Sequence, residues 1–243
     1  MNKKLQKITV ILTGIVLISI VLFISGIIPE PHFTTKPTQF TTPSSIQWGT
    51  FTQLSNTNYG THINIYYISW YGCPFGAADS WAFHLYLKNI GYKQHYSNAK
   101  DIYPNTPGLL FTDGFSNNTL TFTPIYLYNQ TMTGNTLNQT ITGSLLTYGL
   151  NTLSQKLPQS IYTLEKEVMT IIPTSPFNQP SGIKMQHINT NIIITGPNGA
   201  WVLNGAFYNP DLLKGLSTNT VLNGNYSFIN NGELEISNII KGE

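Results

Sequence analysis

INIYYISWYGCPFGAADSWAFHLYLKNIG, Ile63–Gly91, is the stretch that decides the fold. Ile63 to Ser69 is β-branched and aromatic with apolar residues on both faces, which predicts a central strand buried on both sides. Trp70-Tyr71-Gly72 turns the chain, and Pro74 stands where a first helical turn has no use for an N–H. Ala77 to Ile90 then reads as a helix that buries Ala78, Trp81, Ala82, Leu85 and a wider band of Phe83, Tyr86, Leu87 and Ile90. Gly91 stops it, as a glycine in the left-handed conformation does. Cys73, the one cysteine of the chain, lies at the junction. A helix N-terminus carries partial positive charge and unpaired N–H groups, and both favour a thiolate. Trp70 and Tyr71, with Tyr66 and Tyr67, are aromatic candidates for a groove beside it.

Upstream, residues 1–7 form a basic leader with Lys3, Lys4 and Lys7. Residues 8–28 carry no charge and have the length a helix needs to cross a hydrocarbon core, about 20 residues. They predict a transmembrane anchor, longer than the apolar region of a signal peptide; the small residues Ser25-Gly26 keep a cleaved signal as the alternative. The lysines before it place the N-terminus inside and the following domain outside, at the cell membrane as a single-pass protein. Residues 29–45 are rich in Pro and Thr and read as an extended linker. Residues 46–243 are the extracytoplasmic domain. Outside placement gives meaning to four glycosylation sequons, at Asn117, Asn129, Asn138 and Asn225.

Composition narrows the function classes. Only 9% of residues are charged, and the formal net charge is +2. The clustered Lys and Arg of a nucleic-acid binder are missing from the mature part, so no nucleic-acid partner is expected. Scarce charge with abundant Thr and Asn suits an exposed surface and acidic surroundings, where carboxylates lose their ion pairs. One cysteine excludes an intramolecular disulfide and a zinc thiolate set. No carboxylate–histidine grouping has metal spacing, and no glycine loop binds phosphate, so neither metal nor cofactor is expected. Glu165 and Glu167 fall on different faces of a helix and make no glycosidase pair. Ser80 lacks the context of a hydrolase nucleophile.

The remaining chain supplies strands at Gln47–Leu54, Tyr92–Ser97, Leu109–Thr112 and Leu120–Tyr128, the last two paired across a turn at Asp113-Gly114. Helices follow at Ile141–Lys156 and Ile161–Ile172. Asn191–Thr195 and Ala200–Leu203 read as a hairpin, and Asn209-Pro210 opens a short helix. The tail from Asn223 shows little pattern. The layout is α/β with a mixed sheet.

Gly72-Cys73-Pro74-Phe75-Gly76-Ala77-Ala78-x-x-Trp81-Ala82, then Asp101-x-Tyr103-Pro104-Asn105-Thr106-Pro107, then Gly205-Ala206-x-Tyr208-x-Pro210 resemble the DUF929 family over about Ile63 to Leu216. That family comprises uncharacterised archaeal and bacterial proteins regarded as thioredoxin-like. The resemblance implies a thioredoxin-like mixed sheet flanked by helices, and a site built from Cys73, Pro74, Gly76 and Trp81. Many bacterial members carry Cys-Pro-Tyr-Cys, so the second, resolving thiol falls at Gly76. Thioredoxin-like redox proteins also set a cis-proline before the strand facing the cysteine; here that position falls near Asn191, and it holds no proline.

With one sulfur, a mixed disulfide formed at Cys73 has no internal thiol to release it. The expectation is therefore a membrane-anchored thioredoxin-like protein acting as a non-catalytic binding or cell-surface module. The alternative is a monothiol redox protein that uses Cys73 to take a protein or thiol partner.

Overall fold

The computed structural model describes residues 46–100, 105–171 and 187–243. The expected leader, anchor and linker lie outside these residues, as do Tyr103 and Pro104. Among the described residues, no helix is long and apolar enough to cross a membrane.

In chain order, β1 (Phe51–Ser55) and β2 (Ile63–Ser69) lead into α1 (Pro74–Asn89). Four strands follow: β3 (Tyr96–Lys100), β4 (Pro107–Phe111), β5 (Phe115–Ser116) and β6 (Leu120–Tyr126). Helices α2 (Leu145–Lys156) and α3 (Gln159–Ile171) precede the hairpin β7 (Asn191–Gly196) and β8 (Gly199–Asn204). A 3-10 turn at Pro210–Leu213, α4 (Thr218–Asn223) and α5 (Ser227–Lys241) complete the chain. Six strands form one mixed sheet in the order β1-β8-β7-β2-β6-β5. Strands β2 and β6 run parallel, and the other pairs in it are antiparallel.

Alternation of side chains along the strands builds a core on each face. Tyr66 and Ile68 of β2, Ile193 of β7 and Val202 of β8 meet Leu153 of α2 and Leu164 and Val168 of α3. On the opposite face Ile65 and Tyr67, Ile192 and Ile194, and Leu203 meet Ala82, Phe83 and Leu87 of α1 and Ile236 of α5. Strand β2 is thus covered on both sides, as its continuous apolar run predicts. Helix α1 ends on Gly91, at φ 83°. The Gly91 N–H donates to the Lys88 carbonyl and the Tyr92 N–H to the Leu87 carbonyl, the paired closure that a left-handed C′ residue permits.

Several expectations change. The strand placed at Gln47–Leu54 begins at Phe51, the helix placed at Ile141–Lys156 begins at Leu145, and the strand placed at Tyr92–Ser97 begins at Tyr96. Strand β4 does not pair with β6: it pairs with β3 in a separate two-stranded ribbon. Past Asp113-Gly114 the short β5 takes the place beside β6, whose other edge is claimed by β2. The tail is not patternless. Ile229, Gly232 and Ile236 are buried along one side of α5, and a Cβ at Gly232 would press against Ala82 and Phe207. From the same helix Glu235 accepts the Phe51 N–H at 2.8 Å, which ties α5 to the edge strand β1.

Docking of α5 is therefore part of the core. Ile236, fully buried against α1 and the sheet, should lose roughly 2–5 kcal/mol of stability as Ile236→Ala. Equilibrium denaturation measures it, and a loss under about 0.5 kcal/mol, the scale of a surface substitution, would mean that α5 is a surface appendage.

Candidate functional site

The β2–α1 junction brings most of the expected site together. Cys73 is the residue before the first turn of α1, in extended conformation, with Pro74 next. Trp70, Tyr71, Gly76 and Cys73 line one small cavity with Leu109 and Tyr126. Its volume is about 10 Å³, room for one water and no more. Tyr67 reaches the same cavity and donates its hydroxyl proton to the Gly76 carbonyl at 2.5 Å. Tyr66 lies on the other face of the sheet, in the α2–α3 core. Trp81 faces elsewhere too, with its indole N–H donating to the Pro107 carbonyl at 2.8 Å.

The thiol itself is 3% exposed. Its Sγ lies 3.0 Å from the Thr190 hydroxyl, which lies 2.8 Å from the Ser69 hydroxyl. Ser69 ends β2 and Thr190 is the residue just before β7, so the thiol is held by two neighbouring strands. Burial pushes the Cys73 pKa up; the Thr190 hydroxyl, the Gly76 and Phe75 amides and the Ser69 hydroxyl oppose the rise without cancelling it. The helix N-terminus therefore acts in the expected direction, and desolvation wins. Cys73 is a shielded thiol and not a poised thiolate.

Gly76 is filled space and not an empty seat. A Cβ there would run into the Ser69 Oγ and crowd the Thr190 hydroxyl. A second sulfur at 76 is incompatible with the Ser69 side chain as it stands. The position expected near Asn191 to face the cysteine is Thr190, one residue earlier. No motif marks this threonine; its signal was its place immediately before a strand paired with β2.

Alternation sends Asn191 to the opposite face, where its Nδ2 donates to Glu165 of α3 at 2.8 Å. Both side chains are wholly buried. Glu165 has a pKa raised from 4.5 to about 7 by burial, against the Asn191 hydrogen bond. Asp79, which would repel a thiolate if it faced one, accepts the Phe207 N–H at 3.0 Å instead. It too is buried, and its pKa is raised well above the carboxylate range.

The histidines His84 and His95 and the sequon asparagines sit apart from the Cys73 cavity. His84 bonds Gln94, and His95 pairs with Asp113 on the surface. Among the described residues no group of three His, Cys, Asp or Glu could hold a metal. Asn117, Asn138 and Asn225 are exposed. Asn129 is buried: its Oδ1 accepts the Thr133 and Gly134 N–H groups and its Nδ2 donates to Asn138.

Comparison with known proteins finds one family model, described as a domain of unknown function (DUF929), over residues 50–241. No curated protein and no solved structure matches the chain.

Two outcomes follow from this geometry. Gly76→Ala gains about 1 kcal/mol of helix propensity but should lose roughly 1–3 kcal/mol from overpacking, a net destabilisation. The loss should shrink when Ser69→Ala removes the clashing hydroxyl, which a double-mutant cycle measures; full additivity would contradict the contact. Glu165 keeps in the folded state a proton that the unfolded chain releases. Its contribution to stability is greatest below pH 4.5, falls as pH rises to about 7, and then levels, a total of ~3 kcal/mol. Urea midpoints taken across that window should show a downward slope in the wild type that Glu165→Gln flattens; parallel curves would place the raised pKa elsewhere.

Proposed function

The chain belongs to the DUF929 family, and we propose that it is a membrane-anchored, outward-facing thioredoxin-like module that binds and does not exchange disulfides. The observation that carries this reading is the capped thiol: Cys73 is buried with its Sγ on the Thr190 hydroxyl, while Ser69 fills the space a resolving sulfur requires.

The thioredoxin-like assignment draws support from connectivity. A parallel pair, β2 and β6, is joined by α1 and the β3–β5 segment; helices α2 and α3 follow, then an antiparallel hairpin, β7–β8, and a closing helix, α5. The spatial order β6-β2-β7-β8 puts the cysteine-bearing strand end at the centre of the sheet. Dithiol exchange needs an accessible thiolate and a second thiol to release the partner. This site has neither: the attacking sulfur is desolvated in its neutral form, and the neighbouring position is occupied by Ser69. The same features that remove the chemistry tie the ends of β2 and β7 together through buried hydroxyls, a held scaffold of the kind that suits a binding surface.

Anchoring and outside placement rest on the charge-free stretch 8–28 and the lysines before it. An exposed surface of Thr and Asn, with few charges, fits a domain carried outside the cell.

The full-length chain in mild detergent should reduce insulin no faster than Cys73→Ser. Its thiol should resist alkylation until denaturant is added. Turnover that disappears in Cys73→Ser would replace this reading with monothiol redox chemistry. Protease added to intact cells should remove the domain; protection would overturn the outside placement.

A further inference from the structure

A second polar site lies on the far side of the sheet from Cys73, and the capped thiol plays no part in it. Asn191 of β7 and Asn204 of β8 are directly paired across the hairpin. Cross-strand partners hold their Cβ atoms about 5 Å apart on one face. Glu165 of α3 covers the same point, accepting from the Asn191 Nδ2. All three side chains are fully buried. Four of their polar atoms are unpartnered: Glu165 Oε2, Asn191 Oδ1, and both Nδ2 and Oδ1 of Asn204. A fold rarely leaves four such atoms in one place without an occupant to satisfy them.

The identity of the occupant follows from counting donors and acceptors. With Glu165 ionised, three unpartnered acceptors face the two N–H donors of Asn204 Nδ2, and a fully buried negative charge has no cation to offset it. A cation would serve the oxygens but would be repelled by the Asn204 amide N–H. With Glu165 protonated, its O–H joins the Asn204 Nδ2 as a donor, matched by Asn191 Oδ1 and Asn204 Oδ1 as acceptors. The gap between the two asparagines is not closed by a direct hydrogen bond, so a relay that both donates and accepts is required. Water does this with two to four partners, as buried waters do.

We infer that Glu165, Asn191 and Asn204 form a closed internal site that holds a proton on Glu165 and takes water as its ligand, between α3 and the β7–β8 hairpin. The surroundings agree. Burial and the Asn191 hydrogen bond are the influences on the Glu165 carboxyl, with no charged group acting on it. Of the elements packed around it, β7 and β8 carry no titratable side chain, β2 carries Tyr66 and Tyr67, and α2 carries Tyr148 and an exposed Lys156. Lys166 on α3 is exposed, and Tyr162 and Glu167 are half-buried. The site also has a structural consequence. Asn191 is held from below by Glu165 while its neighbour Thr190 holds the Cys73 thiol from above, so the start of β7 is pinned on both faces.

Infrared spectroscopy and water-proton cross-relaxation in the full-length chain test both halves. At mildly acidic pH the wild type should show a protonated-carboxyl C=O band that is lost in Glu165→Gln. Long-lived water should cross-relax with the Asn191 and Asn204 carboxamide protons. Asn204→Leu should abolish the water signal; should that variant not fold, the wild-type measurements decide alone. A Glu165 band in the ionised carboxylate region, a cation that stays bound stoichiometrically through dialysis, or the lack of any long-lived water at these amides would each overturn the inference.

Discussion

Strand β7 is buried on both faces, and every polar group near its start has to be satisfied under that constraint. Its six residues are all buried, between α1 and α5 on one side and α2 and α3 on the other. Thr190 and Asn191 are adjacent in sequence, yet alternation sends their side chains to opposite faces. Neither side chain meets bulk water, so each must find a partner within the protein. Thr190 finds Ser69 and Cys73; Asn191 finds Glu165. The character of the site follows from that shortage of solvent. A thiol that shares a buried hydroxyl network stays protonated, whatever the helix N-terminus offers.

The strand–turn–helix of Ile63–Gly91 was legible because its information is local. Pro74 at the first turn, Gly91 past the last, and an unbroken apolar strand each act within a few residues. Pairing was harder. Asp113-Gly114 is a sound turn signal, but which strand lies across it depends on β2 claiming the other edge of β6. That contact lies far away in sequence and leaves no local trace. The helix at Ser227–Lys241 was missed for a different reason. Its apolar positions do recur at helical spacing, but Asn230, Asn231 and Asn238 dilute them in a chain already rich in asparagine.

The candidate site divided along the same line. Cys73, Trp70, Tyr71 and Gly76 lie within seven residues of one another in sequence and line one small cavity. Thr190 and Glu165 join them only through tertiary contacts, and neither belongs to a motif. The spacing of Glu165 and Glu167 speaks only to a pair of carboxylates. The informative pairing was with an amide. A lone buried acid beside Asn has no sequence signature.

Electrostatics connects the composition to the interior. Asp79, Glu165 and Glu235 all have raised pKa values, with burial the first cause of each. A raised carboxyl pKa means that ionisation opposes folding, so these groups favour the folded state more strongly as pH falls. The reverse case, a carboxylate stabilised by a cation, is represented by His95–Asp113 at the surface. Exposed pairs contribute little. Acid relieves the cost of burying these three carboxyls. Asp79, Glu165 and Glu235 therefore act in one direction, each favouring the folded state more as pH falls. Falling pH also bears on the thiol. Acid further depletes thiolate, so conditions that stabilise this fold are those in which Cys73 is least able to react.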